Sequence, residues 1–283
     1  MLRTRLWAGT LLALAAGAVL VADAEVSHDY PFLFVSVIGL GVLSTRELLP
    51  LLPGDSRPRP GVTLFGVLSV LVANWYATTG WQSAGGSDYL SAWEPVVFTF
   101  TAVVLLVFLV EMRTYRGPGA AVGRVANSVF VISYLGLLAT FFVRIRFDTA
   151  ESGLAMTATV FVPKCADIGA YLTGRLIGRR PFTPSLSPKK TWEGFAGGMV
   201  FAVGTALVIS SLGPVFRHGT GHAVVFGLVV GLAGVLGDLA ESMIKRDGLV
   251  KDAAKTIPGF GGVLDVIDSV LFAAPAAYAL LRI

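Results

Sequence analysis

Four polar residues near the end of the chain share one face of a predicted helix. Asp238, Glu241, Ser242 and Lys245 follow one another at i, i+3, i+4 and i+7, which is the spacing of a single helix face. Ionisable groups are costly in lipid, so such a face turns toward a bundle interior or a water-filled cavity. A structural ion pair between Glu241 and Lys245 is the alternative interpretation, and the residues downstream bear on the choice.

A glycine-rich segment with further charges follows this helix. Lys251 and Asp252 precede the glycine-rich run at 258–262, and Asp265 and Asp268 come one helical turn apart at the start of the last apolar stretch. The glycines would let the backbone approach a phosphate closely. Alternatively, the glycines form a tight interhelical turn, and Asp268 is an acidic residue favoured by the dipole at a helix N-terminus.

Three carboxylates of this region can converge at one membrane surface, together with positive charge. Hard oxygen ligands of this kind suit Mg²⁺, which typically binds one or two carboxylates along with substrate phosphates. The carboxylates are Asp238, Asp265 and Asp268, and the cations beside them are Lys245, Arg246 and Lys251. Carboxylate, lysine and glycine together predict phosphoryl-type transfer.

Two earlier segments also carry polar residues at a predicted membrane boundary. Lys164, Asp167 and Tyr171 share a helix face, so Lys164 and Asp167 either form an internal ion pair or border the site. The segment 187–191 is expected to open the next helix, where free backbone N–H groups and lysines would bind an anion. An ordinary helix start after topogenic charges is the alternative there. The polar residues of this segment are Ser187, Lys189, Lys190 and Thr191.

These motifs resemble the phosphatidate cytidylyltransferase (CDP-diacylglycerol synthase) family over about residues 164–269. The resemblance rests on Ser242-x-x-Lys245-Arg246-x₄-Lys251-Asp252 and Pro258-Gly259-x-Gly261-Gly262-x-x-Asp265-x-x-Asp268. It extends to Gly237-Asp238-x-x-Glu241-Ser242, to Asp167-x-Gly169-Ala170-Tyr171-x-x-Gly174-Arg175 and to Ser187-Pro188-Lys189-Lys190-Thr191-Trp192-Glu193-Gly194. The chain departs from the family pattern at Phe260, where His is usual, and at Val266, where Arg is usual. Both departures bear on substrate affinity and on activity.

The resemblance implies transfer of the cytidylyl group of CTP to phosphatidate, giving CDP-diacylglycerol and pyrophosphate. It implies Mg²⁺ as cofactor, with a second metal ion as an alternative. The predicted metal ligands are Asp238, Asp265, Asp268 and Glu241, and the predicted catalytic residues are Asp238, Asp265, Lys245 and Lys251. The predicted substrate-binding residues are Ser187, Lys189, Lys190, Thr191, Asp167, Ser242, Arg246, Asp252, Gly261 and Gly262.

The elements that must position these residues are membrane helices. Of the 283 residues, 54% are hydrophobic and only 14% are charged, and the mean hydropathy is +0.74. This excludes an ordinary cytosolic globule, because a soluble domain has about 25% charged residues. Nine apolar stretches are long enough to span a bilayer: 6–24, 31–51, 61–79, 93–111, 120–143, 152–174, 194–212, 222–244 and 263–281. We predict an all-α polytopic transmembrane helical bundle, with the first stretch retained as a helix.

The basic residues predict the orientation of this bundle. Seventeen of the 22 lysines and arginines fall on one side if the N-terminus is cytoplasmic, as the positive-inside rule requires. Residues 1–150 then hold five N-terminal spans, and 151–283 form a catalytic region with cytoplasmic loops at 175–193 and 245–262. His28, His218 and His222 all fall outside, so no histidine is available as a cytoplasmic base. We expect a bacterial inner membrane protein with its active site facing the cytoplasm.

The sequence also indicates which partners the protein is expected to have. The lipid bilayer is the expected environment, nucleic acid is not an expected partner, and a homodimer is a candidate assembly. The single cysteine excludes an internal disulfide.

Three other functions are open alternatives. A CTP-dependent polyprenol or phytol kinase would make similar demands on the site. An ion-coupled transporter would use the buried charges of the second half as a pathway, and a catalytically silent relative is the third alternative.

Overall fold

The structure is a computed structural model that describes residues 2–26, 29–79, 93–254, 256–257, 259 and 261–283. Over these ranges the chain is almost entirely helical, which confirms the predicted fold class. The helices are α1 (Leu2–Val26), α2 (Pro31–Leu48), α3 (Pro60–Thr79), α4 (Glu94–Arg113), α5 (Ala121–Val131), α6 (Leu138–Asp148), α7 (Ser152–Ile177), α8 (Trp192–Leu212), α9 (Gly219–Asp247) and α10 (Leu264–Leu281). A π-helical segment, Ile132–Leu137, joins α5 to α6.

The helices coincide with the nine predicted apolar stretches to within a few residues. Among the described residues, seven helices are long and apolar enough to cross a membrane, so the chain is an integral membrane protein. Helix α3 has a shorter apolar part, Pro60–Tyr76, and α7, which carries Lys164 and Asp167, is not among the seven. The number of crossings and the cytoplasmic N-terminus stay predictions.

The chain forms two compact units. The first comprises Met1–Thr140 and Asp247–Val266. Its helix α3 packs against α2, α4 and the π-helical segment, and Gly66 permits close contact because an added Cβ would lie 2.6 Å from Val103. Buried Glu111 of α4 accepts hydrogen bonds from Arg59 and Arg124, each at 2.9 Å, which fastens the ends of these helices together.

The second unit comprises Phe141–Arg246 and Ile267–Ile283. Helices α7 and α8 pack closely because glycines line their contact: an added Cβ on Gly198 would lie 2.8 Å from the Ala166 carbonyl oxygen. Between these helices the chain forms an antiparallel hairpin of β1 (Pro181–Thr183) and β2 (Ser187–Thr191). The predicted loop at 175–193 is therefore a small hairpin, and the functional division at residue 150 stays a prediction.

Candidate active site

Three carboxylates meet in the second unit. Asp238 and Glu241 of α9 and Asp268 of α10 each place an oxygen within 4.8 Å of the other two. Glu241 and Asp268 are buried, and Asp238 is partly exposed. The two residues of α9 meet the same neighbour because they lie three positions apart on one helix face. The sequence predicted all three as metal ligands, and the structure brings them together.

Each of these carboxylates has its own lysine. Lys190 pairs with Asp238, Lys245 pairs with Glu241, and Lys164 lies 3.4 Å from Asp268. We call these six residues the lysine–carboxylate cluster. Three acidic and three basic groups offset one another, which is the condition under which charges are tolerated inside a membrane protein. The ion pair that Lys164 forms is with Asp268, and the predicted alternative partner, Asp167, lies half-buried one turn away on α7.

Glycines on α9 allow its neighbours to approach closely enough to build the cluster. An added Cβ on Gly237 would lie 2.6 Å from the Asp268 carbonyl oxygen and 2.9 Å from Cβ of Phe272. One turn earlier, Gly234 faces Pro163 of α7 and Ser269 of α10. Contacts shorter than 3 Å leave no room for a side chain, so these two positions fix how near α10 and α7 come to α9.

The hairpin brings Lys190 to the cluster. The Thr191 hydroxyl accepts a hydrogen bond from the Gly194 amide at 3.1 Å and so caps the N-terminus of α8. The Glu193 carboxylate accepts hydrogen bonds from the amides of Arg179 and Arg180 at 3.1 and 3.2 Å, which ties the hairpin to the same helix end. The expectation that residues 187–190 open α8 was wrong, because they pair with β1 and the helix begins at Trp192.

The remaining predicted residues of this unit lie around the cluster in different environments. Ser242 is buried on α9, Ser187 is half-buried, and Lys189 is exposed on β2. Arg246 is exposed and donates from Nε to the Leu186 carbonyl oxygen of the hairpin at 3.4 Å. Their assignment to substrate binding stays a prediction.

Asp265 belongs to the other unit and shapes the loop before α10. Its Oδ2 accepts hydrogen bonds from the amides of Gly262 at 2.6 Å and Ala253 at 3.2 Å. Ile257 and Gly261 exchange backbone hydrogen bonds at 2.7 and 3.0 Å, and Gly261 has φ = +110°, which favours glycine. The convergence of Asp265 with Asp238 stays a prediction.

Other predicted features of this loop have different outcomes. Lys251 and Asp252 are exposed, and their predicted roles stay predictions. Val266 is half-buried in the first turn of α10. Pro258 and Phe260 lie outside the described residues, as do His28 and Lys255, which are among the residues used to predict the orientation.

Glu47, a buried residue of α2, was not among the residues predicted from the sequence. Its Oε1 accepts a hydrogen bond from the Thr256 hydroxyl at 2.6 Å, and its Oε2 accepts one from the Leu264 amide at 2.9 Å. The available signal was a single acidic residue, next to Arg46, in a predicted span that is largely apolar, since a charged residue within a span normally has a buried partner.

The lysine–carboxylate cluster has the donor chemistry of a divalent cation site. Carboxylate oxygens are the ligands that Mg²⁺ and Ca²⁺ take in proteins, and three of them converge here on two helices. Asp238, Glu241 and Asp268 are therefore the residues that would hold such an ion. Each of the three carboxylates also has a lysine within ion-pair distance, so the cluster carries both the ligands for a cation and positive charge for phosphate oxygens.

Fold and site together define a polytopic membrane protein with a charged centre among its helices. A model of the cytidylyltransferase family matches residues 3–283. The chain belongs to this family, as its motifs predicted, and membership implies dependence on a divalent metal cation.

Two named relatives match most of the chain, and a third matches less than half of it. A Mycobacterium bovis phosphatidate cytidylyltransferase is 30% identical over 98% of this chain and 88% of its own length. The Bacillus subtilis phosphatidate cytidylyltransferase is 30% identical over 89% of this chain and 93% of its own length. A Haemophilus influenzae protein of the same name is 43% identical over 44% of each chain.

Proposed function

We propose that this protein transfers the cytidylyl group of CTP to phosphatidate, giving CDP-diacylglycerol and pyrophosphate for phospholipid synthesis. The observation that carries the proposal is the lysine–carboxylate cluster in a member of the cytidylyltransferase family. Relatives named for this activity match nearly full length, which supports the same reaction here.

The reaction does not require the protein to supply a strong general base. An oxygen of the lipid phosphate attacks the α-phosphorus of CTP, a new P–O bond forms, and the bond to pyrophosphate breaks with its electron pair on the leaving oxygen. A phosphate monoester has a second pKa of about 6, so the nucleophile is already ionised near neutral pH. The cluster accordingly contains lysines and carboxylates, and the rest of the work is positioning and charge stabilisation.

The cation is proposed to be Mg²⁺, held by Asp238, Glu241 and Asp268 with Asp265 as a further ligand. When bound, it would neutralise charge on the reacting phosphates. Lys164 and Lys190 would then orient phosphate oxygens, because the carboxylates they now pair with would face the cation. A second metal ion is an extension of the same proposal.

Other residues would bind the two substrates. The residues proposed to bind the triphosphate are Lys251, Arg246, Gly261, Gly262, Lys245, Asp252 and Ser242. Ser187, Lys189 and Thr191 on β2, together with Asp167, would contact the nucleotide or the lipid phosphate. Phosphatidate would enter sideways from the bilayer, and CTP would arrive from the cytoplasm. We propose that the protein is located in a bacterial inner membrane and forms a homodimer there.

Product analysis tests the proposal against its rivals. Purified, detergent-solubilised protein is incubated with CTP labelled in cytidine, with phosphatidate and with Mg²⁺. We expect a lipid-soluble cytidine product that Asp265→Asn reduces strongly. Release of CDP without lipid-bound cytidine would indicate a lipid kinase. Intact CTP in a folded, lipid-supplemented sample would contradict both enzymes and favour a transporter or a silent relative.

A further inference from the structure

A carboxylate of the N-terminal helices anchors the loop between α9 and α10. Glu47, near the end of α2, is only 8% exposed, and its two oxygens accept hydrogen bonds from the Thr256 hydroxyl and the Leu264 amide. Leu264 is the first residue of α10, so its amide has no partner within the helix. The carboxylate therefore also places negative charge at the positive end of the α10 dipole.

Small residues let the loop reach this anchor. An added Cβ on Gly262 would lie 2.5 Å from Oε2 of Glu47, so any larger residue would displace the carboxylate. At the other end of the loop, an added Cβ on Gly248 would lie 2.7 Å from the Leu51 carbonyl oxygen. One end of the segment 247–264 thus lies against Glu47 of α2 and the other against Leu51, just after α2 ends, in agreement with the grouping of Asp247–Val266 with the N-terminal helices.

The loop has its own internal hydrogen bonds, and Glu47 adds the connection to the helices. Asp265 holds the amides of Ala253 and Gly262, and Ile257 pairs with Gly261. These bonds fix the shape of the loop. The bonds from Glu47 fix that shape against α2. The bond to the Leu264 amide is shielded from water because Glu47 and Leu264 are buried, whereas Thr256 is exposed.

We infer that Glu47 is a positioning residue for nucleotide binding, an inference that rests on the proposed function. Glu47 acts through the loop that carries Lys251, Gly261 and Gly262, which are proposed to hold the triphosphate. The N-terminal helices, which the sequence predicted only as membrane spans, thereby set the geometry of a substrate loop.

Hydrogen exchange of the purified full-length protein tests the anchor without reference to activity. Glu47→Ala loses the buried hydrogen bond to the Leu264 amide and the partly buried one to Thr256, so it should speed amide exchange between residues 253 and 264 by about tenfold or more. Glu47→Gln should stay near wild type, because its amide oxygen can accept from Leu264 and its NH₂ can donate to the Thr256 hydroxyl. Thr45→Val is the matched control, since that buried hydroxyl bonds to Gly41 within α2.

Kinetics then test the consequence. We expect Glu47→Ala to raise the KM for CTP about tenfold, while the KM for phosphatidate and kcat change by less than about twofold. Unchanged loop exchange in Glu47→Ala, or faster exchange with an unchanged KM for CTP, would overturn the inference. A Glu47→Gln variant as impaired as Glu47→Ala would overturn it as well.

A second variant and the exchange measurement distinguish failure of the inference from misfolding and from failure of the proposed function. If Glu47→Ala does not fold, Thr256→Val removes the 2.6 Å bond alone and should speed exchange in the same peptide. If the wild-type protein has no transferase activity, the proposed function fails, whereas the exchange result still decides whether Glu47 holds the loop.

Discussion

Glu241 and Lys245 form a buried ion pair, and variants of the pair can distinguish a role in stability from a role in catalysis. Their side chains are 1% and 11% exposed. Lys245→Met should therefore destabilise the protein by about 3–5 kcal/mol, because it leaves a buried carboxylate without its cation. The double variant Glu241→Gln with Lys245→Met should recover most of the stability, as measured by thermal unfolding in detergent.

The same pair of variants also tests whether these residues are only structural. If Glu241 and Lys245 take part in catalysis as proposed, the double variant should be stable and nearly inactive. A stable double variant with wild-type turnover would assign the pair to folding alone, which was the alternative interpretation of this helix face.

Lys190 and Lys189 are neighbours on β2 with different surroundings. Lys190 pairs with Asp238, whereas Lys189 is exposed. We expect Lys190→Met to lower kcat/KM by about 100-fold, because it removes a cation from the place where phosphate charge develops. Lys189→Met should have a smaller effect. Equal losses in steady-state assays of the two variants would contradict the placement of Lys190 at the reacting phosphates.

At the scale of elements, the spacing of α9 and α10 depends on Gly237. Gly237→Ala would place a methyl group 2.6 Å from the Asp268 carbonyl oxygen. We expect a loss of about 1–3 kcal/mol through overpacking and a strong fall in turnover, since Asp268 would move relative to Asp238. Gly204→Ala on α8 is the matched control, because an added Cβ there meets nothing within 4 Å. Similar unfolding temperatures for both variants would be evidence against this packing argument.

The start of α8 depends on the Thr191 hydroxyl. Thr191→Ala should lower the free energy of unfolding by about 1 kcal/mol through loss of the N-cap, whereas Thr191→Ser should retain it. Chemical denaturation of the two variants measures this difference. If both variants are as stable as wild type and both raise the KM for CTP, Thr191 serves the ligand and its capping bond is incidental.

The helices were predictable from the sequence, and the connections between them were less so. Apolar stretches of about 20 residues predicted each helix, because a bilayer-spanning segment must satisfy its own backbone hydrogen bonds. The hairpin that carries Lys190 was not predicted, since two short strands leave little periodic signal. Thr191 was singled out for its hydroxyl, and the structure shows that this hydroxyl caps α8.

In the candidate site, likewise, contacts within one helix were predictable and contacts between distant residues were not. Helix periodicity placed Asp238, Glu241 and Lys245 on one face correctly. It could not give the partner of Lys164, because the Asp268 contact joins residues 104 positions apart. Glu47 was missed for the same reason, since its contact with Leu264 spans 217 positions. Long-range contacts depend on packing, which local spacing does not encode.

At the scale of the whole molecule, the predicted nine crossings place the two termini on opposite sides of the membrane. Alkaline phosphatase fused after Ile283 should be active in a bacterial host, because it would fold in the oxidising periplasm. The same enzyme inserted at Gly119 should be inactive, because that loop is predicted to be cytoplasmic. An active insertion at Gly119 together with an inactive C-terminal fusion would reverse the orientation and place the proposed site on the outer face.

Asp238, Glu241 and Asp268 are proposed to hold a divalent cation. Electron paramagnetic resonance of Mn²⁺, used in place of Mg²⁺, measures binding to the purified protein directly. We expect wild type to bind Mn²⁺, Asp238→Asn and Asp268→Asn to bind it at least about tenfold more weakly, and Glu94→Gln, which changes an exposed carboxylate of α4, to bind it normally. Equal binding by all four proteins would contradict the claim.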